Sequence, residues 1–209
     1  MHVIIAGNIG VGKSSLTARL ANAFGWLPFF ETADENPYLA DFYADMPRWG
    51  FHSQLFFLSR RVQAQMALIG SLQHDRRSVV QDRSLYEDAE IFAENLYQQG
   101  VLDVRDYATY RALYQGMCAL LPPPDLLIYL RADVPTLLSR IALRGRTFEQ
   151  GIAPQYLTSL NGLYEEWITH WDRSPVLTIP TDALDFVHKP YDLNTVIGLI
   201  SSARELQAS

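Results

Sequence analysis

The chain has 209 residues, of which 48% are hydrophobic and 19% charged, a globular composition that excludes a disordered or fibrous protein. The net charge of −6 excludes a basic surface over the whole protein for nucleic acid polymers, and the single cysteine, Cys118, excludes an internal disulfide or a multi-cysteine zinc site. No apolar run reaches the roughly 18 residues of a membrane helix, and no secretory signal precedes the first strand pattern. We therefore expect a cytoplasmic protein that contacts no membrane.

Short apolar runs and amphipathic segments alternate along the chain. The apolar runs predict strands at residues 2–6, 27–30, 78–81, 126–130 and 176–179. Helical spacing predicts helices at residues 13–24, 37–45, 49–73, 86–98, 106–121, 134–143, 154–171 and 194–206. Buried strands separated by helices are typical of a five-stranded parallel sheet with helices on both faces. We expect this α/β fold to make residues 1–209 one domain.

A glycine-rich turn follows the first predicted strand. Residues 7–14 match the P-loop pattern G-x-x-x-x-G-K-[ST], with a strand before it and a helix after it. Glycines let backbone N–H groups converge on phosphate oxygens, and the helix adds its positive end. We expect Lys13 to reach the β- and γ-phosphates and Ser14 to bind Mg²⁺. The predicted phosphate-binding residues of this turn are Gly7, Asn8, Ile9, Gly10, Val11, Gly12, Lys13, Ser14 and Ser15.

Charged residues follow two further predicted strands. Glu31 comes after the second strand, and Asp82 and Arg83 come after the third. Because the carboxyl ends of parallel strands line the ligand crevice of such a sheet, we expect the three side chains to meet there. Glu31 would accept the proton of an attacking alcohol. Asp82 would help to hold Mg²⁺, and Arg83 would join Glu31 to the phosphates.

Three arginines crowd the segment after the fourth strand, at Arg140, Arg144 and Arg146. Arg140 and Arg144 are four residues apart on one helical face, where like charges repel unless an anion joins them. Such a cluster is typical of a lid that closes over a transferring phosphoryl group. Residues 140–153 are therefore predicted to form an Arg-rich lid.

Two predicted helices carry side chains that suit a flat heterocycle. Gln54 and Arg61 lie about two turns apart on the long helix, and Asp88 and Phe92 lie one turn apart on the next. An amide, a guanidinium and a carboxylate beside an aromatic ring match a base that offers donors and acceptors on its edge.

Five longer stretches occur in one order along the chain: GNIGVGKSSL at 7–16, ENPYLADFY at 35–43, RWGFHSQLFFLSRR at 48–61, DRSLYEDAEIFA at 82–93 and RIALRGRTFEQGI at 140–152. Together they resemble the deoxyribonucleoside kinase family, P-loop enzymes that phosphorylate the 5′-hydroxyl of deoxynucleosides. The Asp-Arg-Ser and Glu-Asn-Pro-Tyr-Leu forms resemble the bacterial purine deoxynucleoside branch.

The resemblance implies roles for individual residues. Glu31 matches the family's general base, and Arg83 matches its partner. Positions that recognise or stack on the base match Gln54, Arg61, Asp88 and Phe92. Groups that hold the sugar 3′-hydroxyl match Tyr43 and Glu149, lid positions match Arg140, Arg144 and Arg146, and the loop near the ATP adenine matches Asp185 and Phe186. The family also implies Mg²⁺, ATP or another nucleoside triphosphate as donor, and a homodimer or a heterodimer with a related chain.

The expected function is transfer of the γ-phosphate to a deoxynucleoside in nucleotide salvage, the acceptor being a purine deoxynucleoside or deoxycytidine. One alternative is a thymidylate-type nucleoside monophosphate kinase, which would need basic groups near the acceptor's own phosphate, where Glu31 is expected instead. Another is a catalytically silent nucleotide-binding subunit. A GTPase is excluded because the chain has no Asn-Lys-x-Asp guanine signature.

Overall fold

The computed structural model describes residues 1–31, 35–74, 76–149 and 151–208, without the side chains of residue 148 and residues 206–208. Five parallel strands form one sheet in the order β2-β3-β1-β4-β5. They are β1 (His2–Gly7), β2 (Leu27–Phe29), β3 (Val79–Asp82), β4 (Leu126–Arg131) and β5 (Val176–Pro180). The predicted α/β fold with a five-stranded parallel sheet is confirmed.

Helices connect the strands, and all the predicted helices are present. The α-helical segments are Lys13–Phe24, Leu39–Ala44, Met46–Gln73, Leu85–Glu87, Glu94–Gln98, Val104–Cys118, Val134–Arg144, Pro154–Thr169 and Pro190–Ala208. A 3₁₀ turn covers Thr147–Glu149. Within the described residues, no helix combines the length and apolar character that crossing a bilayer would require.

Some helix starts differ from the prediction because local caps extend the helices. Asp45 accepts a hydrogen bond from the Arg48 N–H, so the long helix begins at Met46 instead of residue 49. Asp103 does the same for the Asp106 N–H at 2.8 Å, and that helix begins at Val104 instead of residue 106. The last helix begins at Pro190, a residue type that fits the first turn because it needs no N–H partner there.

The predicted helix 86–98 is interrupted by a π-helical segment, Asp88–Ala93, between its two α-helical ends. A π segment holds one residue more per turn and occurs frequently at functional sites. Asp88 and Phe92, which are four residues apart, both lie within this segment.

The topology gathers three chain segments at one edge of the sheet. Strand β1 lies between β3 and β4, and Ile5 is paired with Asp82. The turn after β1 therefore lies beside the end of β3. Because β2 pairs with β3 and ends at Phe29, Glu31 follows two residues beyond the same edge.

Tyr110 suggests a stability test, because its ring is fully buried and its hydroxyl has no hydrogen-bond partner among the described residues. An unpaired buried hydroxyl destabilises the folded state, so we expect Tyr110→Phe to leave the free energy of unfolding unchanged or to raise it by up to about 1 kcal/mol. The matched control is Tyr107→Phe on the same helix, because the Tyr107 hydroxyl donates to Glu94. Urea denaturation should show a loss for the control only, and a comparable loss for Tyr110→Phe would contradict the prediction.

Candidate active site

The glycine-rich turn has the backbone shape that its sequence predicts. Gly7, Gly10 and Gly12 have φ angles of 143°, 85° and 109°, a region that residues with a side chain rarely adopt. A Cβ atom at Gly7 would lie 2.5 Å from the carbonyl oxygen of Leu130, and one at Gly12 would lie 2.8 Å from the ring of Phe186. The turn therefore requires glycine for space as well as for conformation.

Lys13 is buried at the centre of this turn. Its ammonium group donates to the carbonyl oxygens of Gly7 at 2.9 Å and Asn8 at 3.0 Å. Burial, and after it the positive charge of Arg83, lowers the pKa of Lys13 to about 8. Both hydrogen-bond partners are neutral, so the positive charge is available for an anion bound in the turn.

Ser14 and Asp82 meet beside the turn, as the sequence predicts for a magnesium site. The Ser14 hydroxyl donates to Oδ2 of Asp82 at 2.5 Å. The other carboxylate oxygen, Oδ1, is buried and has no hydrogen-bond partner in the part of the chain that the structure describes. Burial raises the pKa of Asp82, although Lys13 opposes the shift. A hydroxyl and a carboxylate with an unused oxygen fit the oxygen-ligand preference of Mg²⁺.

Glu31 lies between two arginines. Its Oε1 atom is 3.1 Å from Nη2 of Arg61 and 3.2 Å from Nε of Arg83. Burial by itself would raise the pKa of Glu31, but Arg83, Arg61 and Lys13 together lower it below its ordinary value. The carboxylate is therefore ionised at neutral pH and can accept a proton.

Arg83 has an unusual backbone for its residue type. Its φ angle is 61°, and its N–H donates to the carbonyl oxygen of Ile5 at 3.0 Å. A left-handed conformation costs a non-glycine residue of the order of 1 kcal/mol or more, and such strain clusters at functional sites. The guanidinium carbon lies 4.2 Å from the ring centre of Phe92, so the turn aims Arg83 between this ring and Glu31.

Arg61 joins Asp88 to Glu31. Its Nε and Nη2 atoms lie 2.9 Å and 3.3 Å from the two carboxylate oxygens of Asp88, while Nη2 also contacts Glu31. Nη1 donates to the carbonyl oxygen of Arg83 at 3.4 Å. Arg61 and Asp88, which the sequence assigns to recognition of the base, are thus paired with each other, and this pair is one half of a continuous charge network.

One cavity of about 850 Å³ contains most of the predicted site residues. From the glycine-rich turn, the lining includes Ile9, Gly10, Val11, Gly12, Lys13, Ser14 and Ser15. Of the residues predicted for the acceptor, it includes Glu31, Tyr43, Gln54, Arg83, Asp88, Phe92 and Glu149. Of the residues predicted for the lid and the adenine loop, it includes Arg140, Arg144, Arg146, Asp185 and Phe186. Four predicted residues are outside the lining and instead support lining residues: Gly7, Asn8, Arg61 and Asp82.

Arg140 has contacts that differ from those expected of a lid residue. Its guanidinium donates to the carbonyl oxygens of Val11, Thr181 and Leu184 at 3.2, 2.6 and 3.1 Å. Arg140 thus links the glycine-rich turn to the loop that carries Asp185. These contacts use N–H groups that the prediction assigned to phosphate.

Arg144 and Arg146 are both paired with Glu149. Glu149 is buried and accepts from Nε of Arg144 at 3.1 Å, and its other oxygen lies 3.5 Å from Nη1 of Arg146. The sequence assigned the arginines to phosphate and Glu149 to the sugar, whereas the structure joins them in one cluster. Residue 150 of the predicted lid is outside the described residues.

The predicted adenine-side residues, Asp185 and Phe186, line the same cavity. The ring of Phe186 packs on Gly12 and is buried. The Asp185 carboxylate accepts from the His188 N–H at 3.1 Å and lies 3.0 Å from the His188 ring. The loop that carries both residues is thus held close to the glycine-rich turn.

Two residues beneath the turn were not identified from the sequence. Glu87 is fully buried and accepts hydrogen bonds from the Gly7 and Ser84 N–H groups. Tyr164, also fully buried, places its hydroxyl 2.9 Å from the Gly7 carbonyl oxygen. The spacing Ser84-x-x-Glu87 is a capping-box signature and was available in the sequence. Nothing in the local sequence indicates the contact of Tyr164, which lies 157 residues from Gly7.

Comparison with known proteins agrees with this geometry. The deoxynucleoside kinase family model matches residues 3–203. The deoxyadenosine/deoxycytidine kinase of Bacillus subtilis (strain 168) is 37% identical over 202 residues, which are 96% of this chain and 91% of that enzyme. The deoxyguanosine kinase of the same organism is 33% identical over 198 residues, 93% of each chain.

A solved structure gives the same result. Deoxyadenosine kinase from M. mycoides, with the products dCMP and dCDP bound, superposes with a TM-score of 0.83 at 31% identity and covers 97% of this chain and 100% of its own. A second structure of that enzyme, with dATP bound, has a TM-score of 0.77 at 30% identity and covers 96% and 100%. The glycine-rich turn, the strand order and these matches lead to one conclusion: the chain belongs to the deoxynucleoside kinase family.

Proposed function

We propose that this kinase transfers the γ-phosphate of ATP, or of another nucleoside triphosphate, to the 5′-hydroxyl of deoxyadenosine, deoxyguanosine or deoxycytidine in cytoplasmic nucleotide salvage. We propose that residues 1–209 form one kinase domain. The observation that carries it is the position of Glu31, an ionised carboxylate that lines the same cavity as Lys13 and the glycine-rich turn. A thymidylate-type kinase would need basic groups free to bind an acceptor phosphate at this place, whereas Arg61 and Arg83 are both paired with Glu31.

Glu31 is proposed to act as the general base. As the 5′-oxygen attacks the γ-phosphorus, its proton passes to the Glu31 carboxylate, and the bond from the γ-phosphorus to the bridging oxygen breaks to release the nucleoside diphosphate. Arg83 and Arg61 stabilise the ionised form and hold Oε1 in place. Because Arg83 also lines the cavity, we assign it a second contact, with the transferred phosphoryl group.

The donor phosphates are assigned to the glycine-rich turn, residues 7–15. Its backbone N–H groups and Lys13 supply positive charge that is already in position. Residues 140–153 are proposed to act as the lid, with Arg144 and Arg146 moving from Glu149 to the phosphates when a donor binds. The contacts of Arg140 support a different task, which is to hold the loop of Asp185 and Phe186 against the turn.

Ser14 and Asp82 are the residues proposed to hold Mg²⁺. A bound magnesium ion would neutralise part of the phosphate charge. Asp82 has one buried oxygen without a partner within the described ranges, and the Ser14 hydroxyl lies beside it. Among the described residues, no group of three or more histidine, cysteine, aspartate or glutamate side chains is arranged to hold a metal ion.

The acceptor is assigned to the part of the cavity that Phe92, Gln54 and Asp88 line. Phe92 would stack on the base, while Gln54 and Asp88 would contact its edge, since both line the cavity. Arg61 would act through Asp88, which it orients with two hydrogen bonds. Tyr43 and Glu149 are the proposed contacts of the sugar 3′-hydroxyl. The deoxyadenosine, deoxycytidine and deoxyguanosine kinases among the relatives support a purine or cytosine base.

A dimer is the proposed assembly. The helices Met46–Gln73 and Val104–Cys118 pack on each other and expose apolar side chains, including Leu55, Met66 and Leu113. Burial of such side chains against a second copy, or against a related kinase chain, would remove them from water.

Glu31→Gln tests the base assignment. We expect kcat to fall by a factor of about 10² to 10⁴, because the amide cannot accept the proton, while nucleotide affinity changes little. Glu35→Gln is the control, since Glu35 is exposed and paired with Arg60. Coupled measurement of ADP release gives kcat, and titration calorimetry gives affinity. Near-normal turnover by Glu31→Gln would refute the assignment.

Arg61→Gln tests the electrostatic support of Glu31. Its loss removes one of the positive charges that lower the pKa of Glu31, so the carboxylate should become protonated at a higher pH. The acidic limb of the kcat/KM profile should therefore move to higher pH. Arg60→Gln, with the neighbouring exposed arginine, should leave the limb in place. If the acidic limb of the kcat/KM profile lies at the same pH for Arg61→Gln and Arg60→Gln, the proposed network is contradicted.

The choice of base can be tested with the four common deoxynucleosides. Adenine, guanine and cytosine carry an exocyclic amino group that can donate to a carboxylate such as Asp88, and thymine carries none. Initial rates should therefore be lowest with thymidine. A clear preference for thymidine would overturn the assignment of Asp88 and Arg61.

A further inference from the structure

Glu87 lies beneath the glycine-rich turn and has no place in the proposed chemistry. Its Oε1 atom accepts from the Gly7 N–H at 3.2 Å, and its Oε2 atom accepts from the Ser84 N–H at 2.9 Å and lies 3.3 Å from the Ser84 hydroxyl. Glu87 and Ser84 are fully buried. A single carboxylate therefore joins the first residue of the phosphate turn to the residue that follows Arg83.

Tyr164 completes the contact from a distant helix. Its hydroxyl lies 2.9 Å from the carbonyl oxygen of Gly7 and 2.9 Å from Oε1 of Glu87, and it can donate to either. The ring is fully buried and stacks on Tyr129 at a centroid distance of 5.7 Å. Glu87 thus holds the N–H of Gly7, and Tyr164 donates either to the Gly7 carbonyl oxygen or to Glu87, the partner of that N–H.

The positions of Lys13 and Arg83 depend on Gly7 and Ser84, which Glu87 and Tyr164 contact. The Gly7 carbonyl oxygen that Tyr164 meets is also an acceptor for the ammonium group of Lys13, at 2.9 Å. Ser84, which Glu87 holds, directly follows Arg83, the residue with the strained backbone. A strained conformation persists only where its surroundings determine it, and Glu87 supplies such a constraint on one side of Arg83.

We propose that Glu87 and Tyr164 are positioning residues that fix the Gly7 peptide and the Ser84 turn, and through them set Lys13 against the donor phosphates and Arg83 against Glu31. The inference rests on the proposed function for the identity of the bound phosphate. Glu87 and Tyr164 do not line the cavity, but they connect the glycine-rich turn to the turn that carries Arg83.

The chemistry of the contact requires a carboxylate at residue 87. Both of its oxygens face backbone N–H donors, one from Gly7 and one from Ser84. A glutamine has one oxygen and one NH₂ group, so in either orientation its NH₂ group would face an N–H. Glu87→Gln should therefore keep one of the two contacts and lose the other.

Tyr164→Phe is the main test, with Tyr129→Phe as matched control. Each substitution removes one hydroxyl that lies beside a carboxylate, but the Tyr129 hydroxyl donates to Glu165 and does not contact the turn. For Tyr164→Phe we expect the KM for ATP to rise about tenfold, the size expected for one buried hydrogen bond to a functional group. The KM for the deoxynucleoside should stay within about twofold, and Tyr129→Phe should leave both KM values within about twofold.

Thermal unfolding separates positioning from general stability. If the two variants lose similar melting temperature while only Tyr164→Phe raises the KM for ATP, the positioning role is supported. If both variants raise the KM for ATP alike, or if Tyr164→Phe leaves that KM unchanged, the inference is wrong.

A double-mutant cycle tests whether the two residues act on one peptide. Because Glu87 and Tyr164 both hold Gly7, the effect of Glu87→Gln combined with Tyr164→Phe on the KM for ATP should be close to the larger single effect. If the increases in the KM for ATP of the two single variants multiply in the double variant, the two residues do not act together on Gly7.

Failure of the proposed function can be told apart from failure of this inference. The affinity of each variant for the non-hydrolysable analogue β,γ-imido-ATP, measured by calorimetry, reports on the turn without turnover. A wild-type protein that binds the analogue but phosphorylates no deoxynucleoside would disprove the proposed function. In that case the affinity of Tyr164→Phe against that of Tyr129→Phe still decides the inference: a selective loss supports it, and equal affinities overturn it.

Discussion

The side-by-side pairing of β1 and β3 is the constraint on which the rest of the site depends. It places the turn after Gly7 next to Asp82 and Arg83, with Ile5 and Asp82 in register. Glu31, which follows β2, then lies 3.2 Å from Arg83. The glycine-rich turn and Arg83 therefore follow adjacent strands, whose backbone hydrogen bonds hold them at a set separation.

Burial of so many charges is costly unless each has a partner. Glu31 is held by two guanidinium groups, Arg61 is shared between Glu31 and Asp88, and Lys13 is surrounded by carbonyl oxygens. Asp82 keeps one unpaired oxygen within the described residues. The pKa directions follow from this arrangement: arginines lower that of Glu31, and burial raises that of Asp82. The network thus leaves Glu31 ionised at the cavity wall, and one oxygen of Asp82 without a described partner beside Ser14.

Irregular backbone supplies the remaining geometry. The left-handed Arg83 turns its side chain between Phe92 and Glu31, and the π-helical segment that starts at Asp88 follows five residues later. In a regular α-helix, the angle about the helix axis between Asp88 and Phe92 would differ from the one in this π-helical segment. Hydrogen bonds next to Arg83 hold its backbone in this strained conformation. One of them is donated by the Ser84 N–H to Glu87.

The sequence by itself determined the parallel sheet, the glycine-rich turn and the residues that line most of the cavity, because each rests on local patterns: apolar runs, glycine spacing and charges at strand ends. It did not determine the π segment, the early helix starts at Met46 and Val104, or the pairing of Arg144 and Arg146 with Glu149. The support that Tyr164 gives to Gly7 and the reach of Arg140 to the loop near Thr181 join residues far apart in the chain. Only the tertiary structure decides such contacts, because they depend on how helices pack over the sheet and no spacing along the chain records that packing.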